Sequence, residues 1–151
     1  MSLHDGFNRR HFLLASVSTL AFLATPALAT VAEVEAALKK ALGDGVVAKT
    51  DPRIKINVPE VAENGATVPV TVSVDSPMTD KDHVKQIILY AEENPFPDVA
   101  SYKLSPLLGK AEISTKIRMG KSQGVRAVAQ LSDGSVIMAR AEIKVTVGGC
   151  G

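Results

Sequence analysis

Asp133-Gly134-Ser135-Val136-Ile137-Met138-Ala139-Arg140-Ala141-Glu142-Ile143-Lys144-Val145-Thr146-Val147 is the stretch on which the fold turns. Asp-Gly is a strong hairpin signal, and beyond it Ile137, Ala139, Ala141, Ile143, Val145 and Val147 alternate with Arg140, Glu142, Lys144 and Thr146. A period of two sustained over that length is a half-buried strand; an amphipathic helix would repeat its apolar residues at three- and four-residue spacing. Upstream of the turn, Val125, Ala127, Ala129 and Leu131 form the strand that pairs with it. Ala111, Ile113, Thr115 and Ile117 form another half-buried set, and Val84 to Ala91 is a mainly apolar run. Earlier still, Val68, Val70, Val72 and Val74 alternate with Pro69, Thr71 and Ser73, while Ile54, Ile56 and Val58 alternate with Lys55 and Asn57. Asn64-Gly65 supplies a turn between those two, and Pro69 marks an edge or a bulge. Asn94 to Leu108 carries Pro95, Pro97 and Pro106 and reads as a connection crossing between sheets. Six or seven strands joined by turns predict an all-β antiparallel sandwich, since the helix-rich alternation of a parallel sheet is missing.

One helix precedes the strands. Thr30 and Glu33 fit a capping box, Val31, Val34, Leu38 and Ala41 or Leu42 recur at helical spacing, and Gly43 is the stop signal. Before that lies a leader. Asn8-Arg9-Arg10-His11-Phe12-Leu13 places a twin-arginine pair ahead of the apolar run Leu13 to Ala24, and Ala27-Leu28-Ala29 offers the small residues of a cleavage site. The run is about a dozen residues, short of the ~20 that a bilayer core demands, so it reads as an export signal over residues 1–29. The domain then spans 30–147 and a glycine-rich arm 148–151, with no internal repeat and no second domain.

The charge balance excludes whole classes of partner. The 151 residues carry 17 basic and 16 acidic side chains. Loss of Arg9, Arg10 and Asp5 with the leader makes the two signs equal, so neither nucleic acid nor an anionic membrane is an expected partner. His83 becomes the only histidine, and Tyr90, Phe96 and Tyr102 the only aromatics. Catalytic triads, imidazole metal sites and base-stacking platforms draw on residues that are nearly absent, and no cofactor motif is evident. The single histidine lacks convergent ligands, so His83 is expected to make an ordinary polar contact beside Asp80, Lys81 and Asp82, a solvated charge cluster. Met78, Met119 and Met138 are expected to fill the core. Asn94-Pro95-Phe96-Pro97 reads equally as a partner contact or a rigid crossover.

Chemistry is left to Cys150, the one cysteine in the chain. It stands in Gly148-Gly149-Cys150-Gly151, where the flanking glycines have the widest backbone freedom of any residue. Three residues past Val147 reach roughly 10 Å at ~3.4 Å each. A buried or internally paired role fits neither the glycines nor the lack of a second thiol. Three readings stay open on the residues alone: a handle that carries cargo by sulfur chemistry, an intermolecular disulfide, and a cysteine without a role. Nothing in the adjacent sequence offers a base or an oxyanion hole, so other proteins would have to act on the thiol. A peroxide-reducing enzyme would need a resolving cysteine that the chain lacks.

Gly148-Gly149-Cys150-Gly151 resembles the GGCGG terminus of the SoxY family of sulfur carriers, one glycine short. Val68-Pro69-Val70-Thr71-Val72, Ser76-Pro77-Met78, Asp82-His83-Val84, Glu93-Asn94-Pro95, Ala111-Glu112-Ile113-Ser114-Thr115 and Leu131-Ser132-Asp133-Gly134-Ser135 are also similar to that family, as is the twin-arginine leader. The resemblance implies an immunoglobulin-like sandwich that pairs with SoxZ in the periplasm. It implies that Cys150 is the covalent attachment point for sulfur, with Gly148, Gly149 and Gly151 as its flexible arm. The c-type cytochrome SoxXA would join thiosulfate to it, the hydrolase SoxB would release sulfate, and the sulfane dehydrogenase SoxCD would oxidise the sulfur left behind. The carrier itself would turn nothing over. An exported structural module with a tail disulfide is the alternative.

Overall fold

The computed structural model describes residues 31–147. The expected leader, the Thr30 cap and the arm over 148–151 lie outside them. The helix is α1, Val31–Leu42. Val34 and Leu38 are its buried residues, one turn apart. Gly43 ends it as expected: φ is +101°, open to a residue without Cβ, and its N–H donates to Lys39 O at 2.8 Å.

Nine strands follow: β1 Lys49–Thr50, β2 Ile54–Asn57, β3 Val61–Ala62, β4 Val68–Val74, β5 Val84–Ala91, β6 Asp98–Lys103, β7 Ala111–Ile117, β8 Gln123–Leu131 and β9 Val136–Val145. They form the expected two-sheet sandwich. The larger sheet runs β1-β9-β8-β5-β6 with β3 also on β9, and the smaller runs β2-β4-β7. The hairpin β8–β9 turns at Asp133-Gly134, where Gly134 has φ +87° and Asp133 Oδ1 accepts from Ser135 N at 2.8 Å. Between the sheets lies the main core, with Val68, Val70 and Val72 from β4 facing Ile87, Leu89, Val125, Ala127 and Ile143. Met78 and Met119 are buried in it, and Met138 is partly buried elsewhere, so all three methionines pack as expected.

Three features differ from the sequence reading. Asn94 to Leu108 is not a bare crossover: β6 pairs antiparallel with β5 over Gln86↔Lys103 to Tyr90↔Asp98. The prolines sit before and after the strand, where a missing N–H costs no ladder bond. The pairing is also not wholly antiparallel, because β1 and β3 lie parallel to β9. The chain follows the edge of β9, leaves for the smaller sheet at β2, and returns at β3. Finally, the larger sheet is covered on both faces. Ile88, Tyr90, Val128 and Val136 form a second core against Val34 and Leu38 of α1. Pro69 lies in a central strand, but past Asn57↔Thr71, where β2 stops pairing, so it occupies a local edge as expected.

Candidate functional site

Cys150, Gly148, Gly149 and Gly151 lie outside the described residues, and the geometry reaches the root of the arm. Two loops clasp the end of β9. Gly65 N donates to Val147 O at 2.8 Å, and Met119 N donates to Gly65 O at 2.7 Å, so one buried glycine links the last described residue to the loop before β8. Thr146 N donates to Ala62 O at 3.1 Å, and Ser122 Oγ accepts from Val145 N at 2.8 Å. Asn64 shapes the first loop, its Oδ1 accepting from Ala66 N at 2.8 Å. The root is therefore fixed on each side by backbone and hydroxyl bonds up to Val147.

The second loop is held from below by buried amides. Asn94 Nδ2 donates to Arg118 O at 2.7 Å, and its Oδ1 accepts from Gln123 Nε2 at 2.9 Å. Gln123 Oε1 in turn accepts from Glu93 N at 2.6 Å. Asn94 is thus a structural bracket, while Phe96 two residues on is 83% exposed. Lys121 and Glu93 close the rim with a surface ion pair at 2.6 Å. His83 makes the ordinary contact expected of it: Nδ1 bonds Thr79 O at 3.0 Å, and its backbone pairs with Ser132. Among the described residues no group of three or more His, Cys, Asp or Glu is placed to hold a metal.

The sequence reading missed a buried charge cluster. Glu92, 5% exposed just past the end of β5, accepts from Arg140 Nε at 2.8 Å and Nη2 at 2.7 Å, and from Arg126 Nε as well. Arg140 first, against the opposing pull of burial and with Arg126 adding to it, holds the Glu92 carboxyl below the usual carboxylate range. Arg140 also pairs with Glu142. Gly124 makes room, since a Cβ there would fall onto the Glu92 carboxylate and the Arg140 guanidinium. A glycine inside a strand was the available signal for such a close approach.

A family model described as sulfur oxidation protein SoxY matches residues 38–150, from the middle of α1 through Cys150. The chain belongs to the SoxY family. The solved sulfur carrier SoxY from Chlorobium limicola f thiosulfatophilum is 32% identical, with a TM-score of 0.66 over 78% of this chain and 100% of that one. The mostly β architecture with a helix on the N-terminal side is the SoxY fold. A superoxide reductase (neelaredoxin) from Ignicoccus hospitalis is 25% identical, with a TM-score of 0.55 over 78% of this chain and 94% of that one. The superoxide reductase from Nanoarchaeum equitans, at 13% identity and a TM-score of 0.53 over 64% of this chain and 100% of its own, shares the fold alone. No curated protein matches the chain in sequence.

Proposed function

We propose that this SoxY-family chain is a sulfur carrier of thiosulfate oxidation, with Cys150 as the covalent attachment point. The observation that carries the reading is the family match running through Cys150. It is supported by a root anchored up to Val147, three residues before the thiol in sequence. Loading would join the Cys150 sulfur to the outer sulfur of thiosulfate as a thiosulfonate. That step releases the thiol proton and two electrons, which SoxXA would accept. Hydrolysis by SoxB would add water across the terminal sulfonate and release sulfate, leaving a persulfide on Cys150 for SoxCD to oxidise. Gly148, Gly149 and Gly151 would act by being small enough to enter each partner. SoxZ would be the standing partner, and the twin-arginine leader would place the pair in the periplasm. The chain would be acted upon rather than act as an enzyme.

Intact mass of the protein isolated from cells oxidising thiosulfate tests this. A sulfur-containing adduct that vanishes in Cys150→Ser is the expected result. A wild-type mass without adduct, or a covalent dimer of unmodified chains as the sole thiol product, would overturn the reading.

A further inference from the structure

Between α1 and the helix-covered face of the larger sheet lies a cleft of about 280 Å³. Val34 and Leu38 of α1, Val46, Val47 and Ala48 of the following segment, and Met138 of β9 form its apolar walls. Glu35 and Lys39 stand on the helix edge, one turn apart and opposite in charge, and so offset one another. Arg126 is the other charged residue of the lining; its side chain is 14% exposed and is paired through Nε with Glu92.

Arg126 is half-buried, and its terminal nitrogens are open to a ligand. A guanidinium offers five donors in a fixed fork. Glu92 takes one, at Nε, and is otherwise occupied by the two nitrogens of Arg140. The terminal nitrogens of Arg126 find no acceptor among the described residues. A carboxylate or sulfonate is the acceptor whose paired oxygens match two parallel N–H groups. Pockets that take drug-sized molecules run from ~300 to 1,000 Å³, so this one suits something smaller.

We propose that the cleft is a binding site for a small amphipathic monoanion, its oxyanion on the terminal nitrogens of Arg126 and its apolar body against Val34, Leu38, Val46 and Met138. A neutral body would leave the terminal nitrogens of Arg126 without an acceptor from the ligand, and a bare inorganic anion would leave the apolar walls wet. The site does not rest on the carrier reading. Met138 and Val147 are nine residues apart along an extended chain, roughly 30 Å at ~3.4 Å per residue, so the cleft and the arm root are separate places.

Calorimetric titration of the purified full chain with octanoate, and in parallel with octanol, tests the proposal. Octanoate is expected to bind one to one with Kd of about 1 mM or tighter, and octanol at least about tenfold more weakly. Arg126→Gln is expected to weaken octanoate by at least about tenfold while leaving octanol unchanged. Val47 is 71% exposed, so Val47→Asp tests the wall without risk to the core and is expected to abolish both. Cys150→Ser should bind as the wild type does, which separates this site from the carrier thiol. Absence of octanoate binding, equal binding of octanol, or Val47→Asp binding like the wild type would each overturn it.

Discussion

Glu92 is a carboxylate taken out of water and repaid by three N–H donors, an arrangement that is expensive to half-dismantle. Glu92→Gln leaves the half-buried Arg126 without its counter-ion and is expected to cost about 3 kcal/mol in urea unfolding, near the lower end for such pairs, since Arg140 keeps Glu142. The pH dependence has a definite sign. Because the folded pKa lies below the unfolded one, the contribution of Glu92 is fully present above the ordinary carboxylate pKa and is lost as pH falls through the depressed folded value. The wild type should therefore lose stability more steeply than Glu92→Gln below about pH 4.3; parallel curves would show that the cluster contributes nothing. Gly124→Ala pushes a methyl into the same carboxylate and is expected to cost about 1–3 kcal/mol. Tyr90 presents the opposite case: its hydroxyl is buried with no partner among the described residues, and burial, aided by nearby Asp98, pushes it up to about 12. Tyr90→Phe removes an unsatisfied donor without opening a cavity, so its melting point should be unchanged or higher by the equivalent of about 1 kcal/mol. None of these roles was legible from local pattern. Gly124 carries the one local signal of a close approach, a glycine within a strand; the arginines that Glu92 meets lie 34 and 48 residues away, and alternation says which face a residue takes, not what waits there.

Among the elements, α1 packs on the outside of the sandwich and adds no strand to either sheet. It buries Val34 and Leu38 against a sheet that already holds its other face in the main core. Leu38→Ala is expected to cost about 2 kcal/mol and to show it locally: hydrogen exchange should speed up across Val31–Leu42 while amides of β8 keep their protection. Equal loss of protection in both would make the helix part of the cooperative core. The sequence announced this covering layer only indirectly. Within β5, Ile87 to Ala91 is apolar on consecutive residues, the mark of a strand buried on both faces, whereas β7 alternates cleanly because its outer face meets water. The long strands and the β8–β9 turn were readable because alternation and Asp133-Gly134 agree. β6 was not, since the prolines on its flanks outweighed Asp98–Lys103, and the two-residue β1 and β3 owe their existence to β9 rather than to any propensity of their own.

On the proposed carrier reading the whole molecule divides the labour between a folded body and a chemical end. Its hydrogen-bonded order extends along β9 to Val147, and the thiol proposed to carry sulfur comes three residues later. Stability and carrying should then separate under mutation. On the carrier reading Cys150 and Gly149 serve delivery and not folding, so Cys150→Ser and Gly149→Val are each expected to melt within about 0.5 kcal/mol of the wild type. Their functional effects differ in kind. Cys150→Ser removes the attachment atom and should end thiosulfate turnover in a reconstituted pathway. Gly149→Val keeps the thiol but adds a β-branched side chain that narrows the choice of backbone angles and thickens the arm. It should therefore slow turnover while leaving the reaction of Cys150 with a small disulfide reagent unchanged, because that reagent needs no arm threaded into a partner. The root supplies the opposite control. Ser122→Ala frees Val145 N from its hydroxyl acceptor, costs about 1 kcal/mol, and loosens the pivot without touching the tail. If Gly149→Val turned over at the wild-type rate while Ser122→Ala did not, delivery would depend on where the arm begins rather than on how thin it is.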